Sequence, residues 1–264
     1  MLVTKVAAND RQNLLSKLEQ ADTTIRCLES SETLQLENIY SSSDPNHRLQ
    51  RILRFADPLT TRDLVDVSAD VFHLGPLAVG DIEPALFVEL ATRGTVALDV
   101  QGLLRLRRPG QVTLQMSPDI RKLVQHTDIL KADIEEARLL TGCQTTRDML
   151  TELQSWGPRE ILITAGSHGS SICSPEGMSE IPAYRPKNTV DSTGCGDTYL
   201  AGYVAARLQG LSPYSSAHIG AAAASHKLEY AGPLQASFDA LSKQIKLETD
   251  AVDPATTDPY REKV

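Results

Sequence analysis

The most informative stretch of the chain is Asp191-Ser-Thr-Gly-Cys-Gly-Asp197, which stands directly before a segment of helical periodicity. Its two glycines, Gly194 and Gly196, allow the backbone to curl closely around an anion. A helix start adds unpaired N–H groups and a partial positive charge, and both attract phosphate. The carboxylate of Asp197 can take a proton from a hydroxyl that attacks phosphate. The stretch therefore combines an anion cradle with a base, which is what phosphorylating an alcohol requires.

A helix is predicted from the apolar residues that follow Asp197. They recur at helical spacing, and Gly210 provides a C-terminal stop. The apolar face consists of Tyr199, Leu200, Tyr203, Val204, Leu208 and Leu211. A plainer interpretation stays open at this point, in which Asp197 only caps the helix and the glycines only form a tight turn.

The same stretch resembles the second signature of the ribokinase-like (pfkB) carbohydrate kinases, D-T-x-G-A-G-D. Ser192 replaces the usual Thr and Cys195 the usual Ala, and both replacements keep the side chain small. The resemblance implies that Asp197 is the catalytic base. It also implies that the backbone amides of Gly194, Cys195 and Gly196 hold the phosphoryl group. Two further residues, Asp191 and Thr193, are implied to face the nucleotide.

The composition limits the class of protein. The chain has 264 residues, of which 41% are hydrophobic, enough for one large α/β domain or two small ones. A net charge of −8 disfavours nucleic acid and anionic membranes as partners, and no apolar run is long enough to span a bilayer. Scattered cysteines without a C-x-x-C pattern indicate free thiols, and the N-terminus lacks a signal-peptide core, so we expect a cytoplasmic protein.

Short apolar segments alternate with segments of helical pattern. The apolar segments predict buried strands at residues 71–74, 96–100, 129–130 and 161–164. Helices are predicted over residues 84–93, 118–125, 133–140 and 146–156, and Gly142 ends the third of them. This alternation predicts an α/β fold with a mainly parallel sheet flanked by helices on both faces, and ligands beyond the carboxyl ends of the strands.

Residues 30–59 break the alternation. Two flanks of alternating polar and apolar residues enclose the turn-like residues 41–47, which predicts a β-hairpin. An ordinary surface hairpin explains this pattern, whereas the family resemblance implies a small β lid that covers the sugar and pairs two subunits. We therefore expect a core of residues 1–29 and 60–264, a lid of residues 30–59, and a homodimer formed through the lid. A closing lid would exclude water from the reaction.

Two further segments resemble the donor-binding parts of the family. In Leu130–Gly142, Glu136 matches a glutamate that orders Mg²⁺, and Asp133 stands where asparagine is usual. The same pair also reads as a helix capping box, and the two roles can coexist. In Ile161–Gly169, a strand runs into a glycine turn whose family counterpart contacts ATP, through Thr164, Gly166 and Gly169.

Polar residues after another predicted strand are candidates for substrate binding. Asp99, Gln101 and Arg105 resemble a D-x-N/Q-x-x-x-R element of the family, although a solvated basic loop also explains them. Gly75, after the strand at 71–74, would let a substrate approach the backbone, or it forms a plain turn. The small residues of 220–232 predict a closely packed helix, and the resemblance implies an adenine wall with carbonyls nearby that bind a monovalent cation.

These features predict an ATP- and Mg²⁺-dependent phosphotransferase that acts on a hydroxyl of a sugar or polyol, with an inositol or a nucleoside as other acceptors. The family's usual opening, a strand with a sugar-binding Asp followed by a Gly-Gly motif, is not found in the sequence. A non-catalytic nucleotide-binding protein therefore stays open as the alternative. A hydroxymethylpyrimidine- or pyridoxal-type kinase is disfavoured, because those branches carry G-T-G-C and lack the lid.

Overall fold

The structure is a computed structural model of the chain and describes residues 1–19, 23–40 and 48–249. The strands are β1 (Leu2–Val6), β2 (Ile25–Glu29), β3 (Gln35–Tyr40), β4 (Arg48–Arg54), β5 (Val71–Leu74), β6 (Thr95–Asp99), β7 (Gly110–Gln111), β8 (Ile129–Asp133), β9 (Glu160–Thr164), β10 (Ser170–Ser174) and β11 (Gly177–Ile181). The helices are α1 (Arg11–Glu19), α2 (Pro84–Ala91), α3 (Ile120–Val124), α4 (Ile134–Thr141), α5 (Thr146–Ser155), α6 (Cys195–Leu208), α7 (Pro213–Leu228) and α8 (Phe238–Thr249). No helix in the described ranges combines the length and apolarity that crossing a bilayer requires.

The chain forms two compact units. The first contains Met1–Asp70, Pro76–Gly94 and Val100–His126, and the second contains Val71–Gly75, Thr95–Asp99 and Thr127–Val264. The sequence passes from one unit to the other several times, so neither unit is a continuous segment.

A six-stranded sheet forms the centre of the second unit, in the order β11-β10-β9-β8-β6-β5. Neighbouring strands from β5 to β9 run parallel, whereas β10 is antiparallel to both of its neighbours. This confirms the predicted mainly parallel sheet, and all four predicted strands are present with ends no more than three residues from the expected ones.

Helices cover both faces of this sheet, because successive strand residues point to opposite sides. Leu162 of β9 packs in one hydrophobic cluster with residues of α6, α7 and α8. Its neighbours Ile161 and Ile163 are also buried and point to the opposite face, where α5 packs on β9. The strands therefore consist of nearly uninterrupted runs of hydrophobic residues, which is typical of parallel strands that are buried on both faces.

The first unit contains two smaller sheets. Strands β1 and β2 form a parallel pair, and β3, β4 and β7 form an antiparallel sheet. The predicted hairpin is confirmed in its two flanks, since Leu36 of β3 faces Ile52 of β4. The turn predicted at residues 41–47 lies outside the described residues. The role of this sheet as a lid, and the division into core and lid, stay predictions.

Several predicted helix ends are wrong by two residues or more, including the end of α2 at Ala91 and the start of α7 at Pro213. Helix α3 begins at Ile120 rather than residue 118, because Ser117 and Asp119 close a turn first: the Asp119 N–H donates to Ser117 Oγ at 3.4 Å and the Ile120 N–H to the Ser117 carbonyl at 3.1 Å. The small-residue helix ends at Leu228 rather than near residue 232. Its last carbonyl, that of Leu228, accepts the N–H of Val190 at 2.7 Å, so a distant loop occupies the place of a further turn.

Candidate active site

Gly194 turns the chain into helix α6. Its φ of 80° and ψ of 7° lie in the left-handed region that glycine adopts without strain. Beyond it, the Cys195 N–H donates to the Ser192 carbonyl at 3.3 Å. Among the residues that the structure describes, the N–H groups of Gly194, Gly196 and Asp197 have no acceptor in the protein. Three of the donors at this turn are therefore available to an anion.

Asp197 is the third residue of α6, and its side chain is exposed. Within the described ranges its carboxylate makes no hydrogen bond or ion pair. The carboxylate points back towards the turn, since its Oδ2 atom lies 3.9 Å from where a Cβ atom on Gly194 would be. A free acid and free peptide N–H groups thus meet at one helix start. The interpretation as a mere N-cap does not fit, because Gly194 occupies the cap position.

Buried tyrosines of α6 hold this helix on the sheet. The Tyr199 hydroxyl lies 2.8 Å from Ser170 Oγ of β10, and the Tyr203 hydroxyl donates to Glu160 Oε2 of β9 at 2.6 Å. Arg207 completes the second contact by donating to Glu160 Oε1 at 2.8 Å. Two strands therefore fix the axis of α6 and with it the position of Asp197.

Lys131 lies against the glycine turn from the sheet side. A Cβ atom on Gly196 would lie 2.6 Å from Lys131 Nζ, so any larger residue there would have to displace the lysine from its ion pair or shift the turn. The ammonium group donates to Asp99 Oδ2 at 2.8 Å, and both side chains are buried. Burial alone would lower the pKa of Lys131, but the charges of Asp99, Glu136 and Asp133 outweigh it and raise that pKa. A permanent positive charge thus lies beside the turn.

Asp133 and Glu136 form the capping box that their spacing predicts. The Glu136 N–H donates to Asp133 Oδ1 and the Asp133 N–H to Glu136 Oε2, both at 2.8 Å. The pKa of Glu136 is raised to about 7, mainly because the side chain is buried and secondly because the charge of Asp133 is close. The positive charge of Lys131 opposes this rise. In the described part of the chain no three metal-ligating side chains gather. Each carboxylate uses one of its oxygens in the cap, and a role of the pair in ordering magnesium stays a prediction.

His73 of β5 faces the same region. Its side chain is exposed, yet its pKa is lowered, mainly because the surrounding protein partly desolvates the ring. The negative charges of Asp197 and Asp99 raise this pKa, and the positive charge of Lys131 lowers it. His73 therefore shares the electrostatic environment of Asp197.

The glycines of the predicted nucleotide turn have a structural explanation. Strand β9 ends at Thr164, whose hydroxyl donates to the Ala132 carbonyl at 3.5 Å. Gly166 and Gly169 both have positive φ, of 56° and 91°. A Cβ on Gly169 would also overlap the carbonyl oxygen of Ile181, so packing alone requires glycine there. A contact of this turn with a nucleotide stays a prediction.

The four predicted substrate residues fall in different units. Gly75 and Asp99 belong to the second unit, at the ends of β5 and β6, and no atom lies within 4 Å of a Cβ built on Gly75. Gln101 and Arg105 belong to the first unit. Arg105 is 3% exposed and donates to Gln50 Oε1 at 3.0 Å, so the interpretation as a solvated loop is wrong for this residue. Substrate contact stays a prediction for all four.

Asp191 and Thr193 form a tight turn at the start of the informative stretch. The Thr193 N–H donates to Asp191 Oδ1 at 2.9 Å, and this bond is the largest cause that lowers the pKa of Asp191. Lys227 Nζ lies 3.5 Å from Asp191 Oδ2 and donates to the Asp191 carbonyl at 3.2 Å. The ammonium group of Lys227 therefore already binds the carbonyl oxygen at this turn, and a monovalent cation does not fit there.

Sequence reasoning gave no role to Lys131, His73 or Lys227. Two of them carried a usable signal. Lys131 follows two residues of a predicted buried strand, and Lys227 stands four residues after Ala223 on the buried side of the small-residue helix. A buried lysine needs hydrogen-bond acceptors or a negatively charged partner, and buried lysines without such partners are rare.

The small residues of α7 serve helix packing. A Cβ on Gly220 would lie 2.7 Å from the Tyr199 carbonyl oxygen, and a Cβ on Gly202 would lie 3.0 Å from Ala223 Cβ. Helices α6 and α7 thus approach each other closely along this row. This confirms the close packing predicted from composition.

A mainly parallel sheet with helices on both faces and a glycine turn at the start of α6 defines an α/β protein of ribokinase-like fold. The sequence matches the pfkB family of carbohydrate kinases over residues 11–239, and the chain belongs to this family.

Similar proteins act on several acceptors. The 2-dehydro-3-deoxygluconokinase of Escherichia coli is 29% identical over 147 residues, which are 54% of this chain and 47% of that enzyme. The inositol 3-kinase of Zea mays is 30% identical over 189 residues, 70% of this chain and 46% of that enzyme. The chain thus spans about half the length of the curated relatives it matches.

A solved structure of a pyrophosphate-dependent kinase in the ribokinase family, complexed with a pyrophosphate analogue and myo-inositol, is also similar. It superposes with a TM-score of 0.78 at 26% identity, over 88% of this chain and 82% of that one.

Proposed function

We propose that this chain is a phosphotransferase that uses ATP to phosphorylate a hydroxyl of a sugar or related polyol. One observation carries the proposal: the exposed carboxylate of Asp197 has no protein partner in the described ranges and lies beside the free N–H groups of Gly194 and Gly196. A base and an anion site at one helix start are what transfer of a phosphoryl group to an alcohol needs.

Each group at the turn has a part in this reaction. Asp197 takes the proton of the acceptor hydroxyl, and the free amides of Gly194 and Gly196 stabilise charge on the moving phosphoryl group. The buried ammonium of Lys131 adds positive charge beside the turn. Magnesium, which the family resemblance implies, would neutralise the donor phosphates when bound. Asp133 and Glu136 each use one carboxylate oxygen in the cap, and they would order the ion through water.

Inositol is the first acceptor to test. Two similar proteins, the Zea mays inositol 3-kinase and the kinase solved with myo-inositol, act on or bind this polyol. A ring of hydroxyls presents several groups of equal chemistry, so the pocket geometry would select one of them. Sugars, 2-dehydro-3-deoxygluconate and nucleosides are the comparison acceptors.

Pyrophosphate is the second candidate for the donor. The kinase solved with a pyrophosphate analogue is 26% identical to this chain. In addition, the small residues of α7 leave no slot for a flat ring at Gly220, because Tyr199 fills the space against it. Both donors end in the same phosphoryl group, so the role of Asp197 is unchanged.

The deciding experiment offers each donor with each acceptor. We would incubate the chain with ATP or pyrophosphate and myo-inositol, ketohexoses, pentoses or nucleosides, and follow phosphorylated product by ³¹P NMR. Product from any pair, dependent on Asp197, supports the proposal, and the pair identifies donor and acceptor. Calorimetric binding of a donor without product from any acceptor would favour the non-catalytic alternative.

The lid and the homodimer remain proposals of the same kind. The antiparallel pairing of β3 with β4 supports a protruding hairpin, and family resemblance supports its use as a lid. The mass in solution tests the assembly, and a monomeric mass counts against a dimer formed through this sheet.

A further inference from the structure

Lys227 is a buried cation at the end of α7. Its side chain is 4% exposed, and Nζ donates to the carbonyl oxygens of Asp191 and Tyr230, each at 3.2 Å. The carboxylate Oδ2 of Asp191 lies 3.5 Å away on the same side. An ammonium group has three hydrogens to donate, and three oxygens surround it here.

The same place joins two distant segments through the backbone. The Leu228 carbonyl accepts the N–H groups of Val190 and Asp191, at 2.7 and 3.3 Å. The Lys187 N–H donates to Glu229 Oε1 at 2.7 Å. The segment that leads into the glycine turn is therefore fastened to the end of α7, and the ammonium of Lys227 supplies the positive charge at the centre of this joint.

Two peptide carbonyls and one carboxylate are oxygen ligands of the type that also hold a monovalent metal ion. In this chain a side chain supplies the charge instead. We infer that Lys227 is a built-in cation that positions residues 190–193 for the phosphoryl-binding turn, and that the chain consequently gains nothing from added potassium. The positioning role rests on the proposed function, whereas the cation role does not.

The difference from a metal site is physical. A bound ion is lost as its concentration falls, whereas a tethered ammonium group is present at all salt concentrations. Lys227 is therefore a positioning residue and not a catalytic residue, because it reaches the turn only through Asp191. Its loss would displace the start of the turn, and small displacements of a reacting group reduce rates steeply.

The test measures thermal stability in potassium, sodium, ammonium or choline chloride at one fixed ionic strength, for three proteins. These are the wild type, Lys227→Ala, and Lys243→Ala as the control, since Lys243 is an exposed lysine of α8 in the same unit. We expect no cation preference in the wild type or the control. Lys227→Ala should lose about 5 °C in Tm and regain at least half of it specifically in potassium or ammonium.

Other outcomes overturn the inference. A potassium-specific gain in the wild type would place a metal site elsewhere. An unchanged Tm in Lys227→Ala, or a loss that no cation repairs, would leave no cation role for this side chain. If Lys227→Ala does not fold, Lys227→Gln keeps a donor without the charge and is judged by the same criteria, and the wild-type series stands by itself.

A second measurement separates this inference from the proposed function. Once a donor and acceptor are found, KM for the donor should rise about tenfold in Lys227→Ala and fall again with potassium. Absence of turnover with any substrate would refute the phosphotransferase proposal but leave the stability series valid. Turnover without any change in donor KM would refute the positioning role.

Discussion

The ammonium group of Lys131 lies against the Cα atom of Gly196, so close that a Cβ there would come within 2.6 Å of Nζ. The relationship explains why the turn carries glycine at this position although its φ is not left-handed. It also brings a buried positive charge, balanced by Asp99, to the back of the turn whose front offers free N–H groups.

Replacing Gly196 by alanine should therefore damage the turn. The new methyl group would push Lys131 or the turn aside, and we expect phosphoryl transfer to fall by about 10²-fold through misplacement of the amides. Steady-state kinetics of Gly196→Ala measure the effect. Cys195→Ala, one residue earlier, is the matched control, because alanine is the family's usual residue there and should retain activity. Equal activities of the two variants would contradict this account.

Removing the charge of Lys131 should destabilise the fold. Its loss leaves the carboxylate of Asp99 buried without its cation, and breaking a buried pair by removing one partner costs about 3–5 kcal/mol. Urea denaturation of Lys131→Met measures the free energy of unfolding.

The double variant Asp99→Leu/Lys131→Met is the control for that prediction. It removes both charges, so it should be more stable than Lys131→Met alone. If Lys131→Met unfolds at the wild-type urea concentration, the pair does not stabilise the fold as argued.

Asp197→Asn tests the base. Asparagine has nearly the same shape but cannot accept the hydroxyl proton, so turnover should fall by roughly 10²–10⁴-fold with little change in Tm or donor binding. Asp239→Asn is the control, because Asp239 is an exposed acid in the first turn of α8 and should be neutral in effect. Wild-type turnover in Asp197→Asn would eliminate Asp197 as the base.

The sequence predicted the elements whose signal is local. The strand at 71–74 and the helix after the glycine turn follow from hydrophobic period, which depends on neighbours a few residues away. The partners of Lys131 and Lys227 could not be predicted in this way. Asp99 and Lys131 are register partners on β6 and β8, 32 residues apart, and their meeting depends on strand pairing.

The cap formed by Asp133 and Glu136 could be predicted from the sequence only in part. Its spacing predicted both a capping box and a metal site, and the two interpretations share the same residues. The structure confirms the cap, and it shows Glu136 only 1% exposed. Burial was not readable from the local pattern, because it is the sheet beneath α4 that encloses this side chain.

Buried His218 of α7 should make the fold sensitive to acid. Its Nδ1 atom lies 2.7 Å from the Tyr184 hydroxyl, its ring packs edge-on against Tyr214, and Nε2 is buried with no partner among the described residues. Desolvation lowers the pKa of His218 below its ordinary value of 6.5. The unfolded chain therefore takes up a proton near pH 6.5 that the folded chain refuses, so stability is complete above that pH and declines as the pH falls further.

The measurement is the free energy of unfolding of wild type and His218→Phe in urea between neutral and mildly acidic pH. The wild type should lose up to about 1.4 kcal/mol per pH unit through this one group. His218→Phe removes the titrating ring and should show a shallower decline, although it starts lower by about 1 kcal/mol because the bond to Tyr184 is lost. His168→Phe, at an exposed histidine, should decline like the wild type. Parallel curves for all three proteins would mean that His218 carries a proton in the folded state as readily as in the unfolded chain.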